Sequence, residues 1–182
     1  MSEVADRFRR RAGALTERVE AVPPNRWDNP TPCDEWVARD VVRHMVDNAQ
    51  RFLGFVDREL PPGPSADADP VGAWANARDA IQAGLDDPAV ATLEFEGQMG
   101  KQTLEQAVDR FGSPDVVIHT WDLARATGLD EHLDPDDVHE ILVAMEPMDR
   151  MMRGSGAFGP KVEPLPGADE QTRLLAFMGR TV

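Results

Sequence analysis

Asp115 and His119 stand one helical turn apart in PDVVIHTWDLARATG, residues 114–128, a stretch otherwise apolar enough to be helix core. A carboxylate and an imidazole at i and i+4 leave the same face with neighbouring tips, the spacing with which zinc-binding helices grip one ion. Two ligands rarely complete a site. His44, on the inward stripe of another long helix, supplies a third, giving two histidines and one carboxylate with positions left open for water or substrate. The same residues also have a plainer reading, a buried histidine hydrogen-bonded to a nearby aspartate, with Asp115 and His119 only a helix-stabilising pair. An unpaired buried carboxylate costs on the order of several kcal/mol, so three such residues on core-facing stripes call for a partner. Spacing alone leaves both readings open. Asp122, three residues past His119, is read as an acceptor for a histidine N–H, ahead of a fourth ligand or a surface partner of Arg125.

The elements that must position these groups follow from periodicity. Val4, Phe8, Leu15 and Val19 recur at helical spacing over about residues 2–22, and Pro23-Pro24 stops that helix. After the loop NRWDNPTPCDEW, Asp34 is placed as the cap of a second long helix. Its stripe is Val37, Val41, His44, Met45, Asn48, Phe52 and Phe55, and it ends before Pro61-Pro62. Asp69-Pro70 opens a third, shorter helix on Trp74, Ile81 and Leu85. VATLEFEGQM alternates as a strand or hairpin does. Thr103 and Gln106 read as a capping box for a helix through Leu104, Val108, Phe111, Asp115, His119, Asp122 and Ala126 to Gly128, kinked or restarted at Ser113-Pro114. Asp134-Pro135 starts another, with Val138, Ile141, Leu142, Met145 and Met152 inward, and DEQTRLLAFMG closes the chain as a short helix. Four long amphipathic helices predict an all-α bundle, whose sites form between facing helices.

The 182 residues are enough for a single domain, 1–182, with its own core. Thirty-three acids against nineteen bases give a formal charge of −14, which disfavours nucleic acid and anionic membrane surfaces as partners. MSEVADRFRRRAGALTERV has no continuous apolar run, so a cytoplasmic location is expected. The single Cys33 excludes an internal disulfide. It is read as a structural thiol, separated from His44 by roughly 16 Å if the eleven residues between form a straight helix. Arg9-Arg10-Arg11 is read as an exposed face of the first helix.

HTWDLARATG, NPTPCDEWVARDVVRHM and the ending FGP…TRLLAFMGR together resemble a family of actinobacterial proteins related to the DinB-like bundles and to the mycothiol-dependent maleylpyruvate isomerase. The resemblance runs from about Val4 to Arg180. It implies a DinB-like up-down-down-up four-helix bundle, here with a small hairpin and a short C-terminal helix. It also implies a divalent metal, zinc or nickel, held at positions that fall on His44, Asp115 and His119, and a low-molecular-weight thiol, mycothiol, as cosubstrate. This chain carries Asp115 where the isomerase has glutamate, and a short carboxy-terminal remainder where the isomerase has a further domain, so isomerisation of maleylpyruvate itself is not expected. Two functions follow. One is a metal- and thiol-dependent transferase or isomerase acting on small electrophiles. The other is a non-catalytic metal-binding or sensing bundle, with a homodimer as its expected assembly.

Overall fold

Ser2 caps the first helix by accepting the Ala5 N–H, and α1 runs over Glu3–Ala21 as its apolar period requires. The computed structural model describes residues 2–97, 100–154 and 160–182. The side chains of Met151 and Met152, and Phe158-Gly159 of the closing motif, lie outside the described residues. Backbone contacts divide the chain into two compact units, 1–130 and 131–182.

In the first unit, α2 (Ala38–Gly54) begins three residues later than the sequence suggests. Asp34 is not its cap; Val37 is, with the Asp40 carboxylate accepting the Val37 N–H at 2.8 Å. The reason lies in the preceding loop, where Glu35 adopts φ 64° and Pro30 pairs with Val37, folding the chain back on itself. Helix α3 (Pro70–Asp86) is as long as α2, not shorter, with Asp69 capping Gly72 and Pro70 at the first position. A helical turn, α4 (Pro88–Ala91), leads into an antiparallel hairpin of β1 (Glu94–Gly97) and β2 (Gly100–Thr103), in which Glu94 faces Thr103.

From Thr103, whose capping box with Gln106 forms as expected, the chain passes through α5 (Leu104–Ala107) and the π turn Val108–Gly112 into α6 (Ser113–Thr127). Pro114 has no N–H to give, and its ring would crowd the carbonyl four residues back. The helix therefore widens rather than restarting, with the Ser113 N–H reaching Val108 O. Gly112 lies within this wide turn, where a Cβ would stand 2.9 Å from the Phe52 ring of α2. Gly128, at φ 72°, ends α6.

Side-chain contacts fix the relative directions of α1, α2, α3 and α6. Arg7 meets Asp109, Arg11 meets Ser113 and Arg18 meets Asp130, so α1 and α6 run parallel. Gln82 reaches Ala5 O and Trp74 reaches Thr16, so α3 runs against α1. Arg43 meets Asp67 at one end of α2, while Leu53 and Gly84 approach at the other, so α2 and α3 are parallel. Phe52 against Gly112 and His44 against Asp115 set α2 antiparallel to α6. The outcome is an up-down-down-up bundle whose core is built on Phe8, Leu15, Val41, Met45, Trp74, Ile81 and Leu123. The basic run of α1 divides: Arg9 and Arg10 are exposed, but Arg11 is buried at 4% and hydrogen-bonds Ser113 Oγ.

The second unit holds α7 (Pro135–Met145), a 3-10 turn at Glu146–Met148, α8 (Asp149–Gly154) and the short α9 (Glu170–Phe177). Val138, Ile141, Leu142 and Met145 are buried on α7, and Leu174 and Leu175 on α9, which packs against it. Gln171 ties the entering loop down, its side chain accepting the Leu133 N–H and donating to Glu131 O.

Candidate metal centre

The antiparallel pair α2 and α6 brings the three sequence candidates together. His44 Nε2 lies 2.9 Å from Asp115 Oδ2, and His119 Nε2 lies 3.5 Å from Asp115 Oδ1. The His44 and His119 rings meet edge to face at 4.8 Å. One ligand atom from each residue can be chosen so that all lie within 4.8 Å of one another. Asp115 and His44 keep 28% of their side-chain surface exposed, while His119 keeps 6%, so the group is rooted in the core and open on one side.

Asn48, one turn beyond His44, donates to Asp115 Oδ2 at 2.7 Å and stands 2.9 Å from His44 Nε2. It lies on the stripe recognised in the sequence, and its i+4 relation to His44 was the signal of its role. Trp36 gave no such signal, because it lies in the irregular loop ahead of α2. Its ring stacks on His119 at 5.6 Å, nearly parallel, and tilts over His44 at 5.1 Å, walling one side of the two imidazoles.

Asp122 has no exposed surface, and its Oδ2 lies 2.9 Å from His119 Nδ1, on the edge of the ring away from Asp115. That contact lies off the line along which a ring N–H donates, so Nδ1 has no aligned hydrogen-bond partner. Cys33, set aside on the assumption of a straight helix, is carried by the folded-back loop to within 3.5 Å of Asp122 Oδ2. Cys33, His119 and Asp122 form a second group of converging ligand atoms. No straight helix joins Cys33 to His44, since α2 does not begin until Ala38.

Burial opposes a charged ring and is the largest single influence on His119. Asp115, Asp122 and Cys33 together outweigh it, and the pKa is pushed up from 6.5 to about 10. Without a cation, His119 therefore carries the positive charge that balances the two aspartates.

The donor set fits a divalent ion. Tetrahedral zinc with nitrogen and oxygen ligands at about 2.0–2.1 Å separates those ligands by about 3.3 Å, and the two contacts to Asp115 bracket that figure. Imidazole and carboxylate together suit borderline metals such as zinc or nickel. A narrow cleft of about 20 Å³, room for about one water molecule, adjoins Asn48 and Asp115 and is lined by Met45, Phe52, Trp74 and Val116 among others.

Fold and site together define a class: a helical bundle with a buried His/Cys/Asp cluster between antiparallel helices, able to hold a metal ion. The chain belongs to the family of the mycothiol maleylpyruvate isomerase N-terminal domain, whose model matches residues 8–126. It is 30% identical over 158 residues to two Mycobacterium tuberculosis proteins, "Uncharacterized protein MT0763" of strain CDC 1551 / Oshkosh and "Uncharacterized protein Rv0738" of strain ATCC 25618 / H37Rv, covering 84% of either chain. No solved structure matches. Among the described residues, no helix is long and apolar enough to cross a membrane.

Proposed function

We propose that this protein holds zinc or nickel through His44, Asp115 and His119 and acts on small electrophiles as a thiol-dependent transferase or isomerase, with mycothiol as the thiol and the cytoplasm as its setting. The observation that carries this reading is the convergence of two imidazoles and one carboxylate from facing helices, open on one side and adjoining an apolar cleft. When bound, a divalent cation supplies Lewis acidity that lowers a thiol's pKa and so favours its reactive, ionised form.

The chain's own residues do the rest. Asn48 orients Asp115 by donating to Oδ2, and the i,i+4 placement of Asp115 and His119 on α6 turns Nε2 of the ring toward Asp115. Trp36 walls the imidazoles from water on one side.

Metal analysis of the purified chain, beside His44→Ala, Asp115→Asn and His119→Ala, tests the ligand set. Stoichiometric metal in the parent and at least a tenfold loss of affinity in each variant is the expected pattern. Mycothiol binding to the loaded protein and conjugation across a panel of electrophiles test the activity. Metal retained in all three variants overturns the site. Tight metal binding with neither thiol affinity nor turnover overturns the enzymatic reading and leaves the sensing bundle.

A further inference from the structure

The far edge of the His119 ring meets a second set of donors. Nδ1 lies 2.9 Å from Asp122 Oδ2, that oxygen lies 3.5 Å from Cys33 Sγ, and ligand atoms of the three residues fall within 4.8 Å of one another. Two features distinguish this arrangement from a carboxylate that merely steadies a histidine. A steadying acceptor sits in line with the ring N–H, whereas Asp122 is near enough but off that line. Nδ1, on a ring only 6% exposed, is thus left without an aligned hydrogen-bond partner while aimed into the group. A steadying pair also has no need of a thiol, yet the loop ahead of α2 doubles back to deliver one. Sulfur and oxygen ligands of tetrahedral zinc, at about 2.3 and 2.0 Å from the metal, stand about 3.5 Å apart, which is the separation between Cys33 and Asp122.

The geometry points to a second cation site, made by Cys33 Sγ, His119 Nδ1 and Asp122, which takes a thiophilic divalent ion such as zinc or cobalt(II). It lies back to back with the proposed His44–Asp115–His119 site across a single imidazole ring, and it does not require that site to be filled. A thiolate among the donors selects against magnesium and calcium. The ion replaces the thiol proton directed at Asp122, and any proton on Nδ1, and both pass to solvent. With both sites filled, His119 bridges the ions as an imidazolate.

Cobalt(II) titration of the full-length, metal-stripped chain tests this, because a thiolate ligand adds strong near-ultraviolet charge-transfer absorption that imidazole and carboxylate do not. The expected result is a band that saturates with two bound equivalents. Cys33→Ser should lose the band and bind one equivalent, while His44→Ala should keep the band and bind one. One equivalent without the band, unchanged in Cys33→Ser, overturns the second site and leaves the first standing. One equivalent with the band, lost in Cys33→Ser but kept in His44→Ala, supports the second site and overturns the first. No bound cobalt overturns both. The band is read on the unsubstituted chain, so a variant that fails to fold does not decide the matter.

Discussion

At the scale of single residues, His119 is the hinge of the site, with one nitrogen turned toward Asp115 and the other toward Asp122 and Cys33. Its folded pKa of about 10 lies above the ordinary 6.5, so in the metal-free chain the charged ring contributes stability that is complete below pH 6.5 and is lost as the pH rises through 10. Urea unfolding of metal-free protein should accordingly show a lower midpoint at pH 10 than at pH 6.5. That difference should shrink in His119→Gln; an equal fall in the variant would count against His119 as its source. The chemical types at 44, 115 and 119 were legible in the sequence because i,i+4 spacing and an inward stripe are local properties. Cys33 and Trp36 were not, since their places depend on a loop that doubles back through Glu35 at positive φ, and periodicity does not report such a path.

At the scale of elements, caps and breakers carry most of what could be anticipated. Ser2, Asp69, Thr103 and Asp134 cap helices where the chain places them, and Gly128 ends α6. Gly128→Ala puts a Cβ into a left-handed conformation and should lower unfolding stability by about 1 kcal/mol, read by denaturant titration. In the second unit, Asp169 accepts the Thr172 N–H at 2.7 Å, and that backbone bond holds its carboxyl below the usual range. The contribution of this cap is therefore present above the unfolded value of 3.8 and lost as the pH falls through the lower folded one. Asp169→Ala should destabilise α9 by about 1 kcal/mol near neutral pH, whereas Asp169→Asn should keep most of the cap; hydrogen exchange of the α9 amides separates the two. Asp34 shows the limit of such reasoning. A good cap residue lies unused when Asp40, three residues into the next turn, holds the backbone at Val37 instead.

At the scale of the whole molecule, a site shared by α2 and α6 couples metal binding to folding, because an unfolded chain does not hold His44 beside Asp115. Zinc at a hundredfold its Kd should stabilise the protein by about 2.7 kcal/mol. A chelator should reverse this, and His119→Ala, which removes the ring common to both groups of donors, should abolish it. Calorimetry with and without zinc measures the shift, and an unchanged melting temperature in the parent chain would remove the metal reading. By itself the sequence determined the helices, most of their ends, the acidic character of the chain and the residue types at its centre, because these rest on composition, spacing and capping within a few residues. Only the tertiary structure decided the divided roles of Arg9, Arg10 and Arg11, the widened turn before Pro114 and the arrival of Cys33 and Trp36 around His119. Each depends on which helix lies alongside and in which direction, and such contacts join residues tens of positions apart that no local period relates.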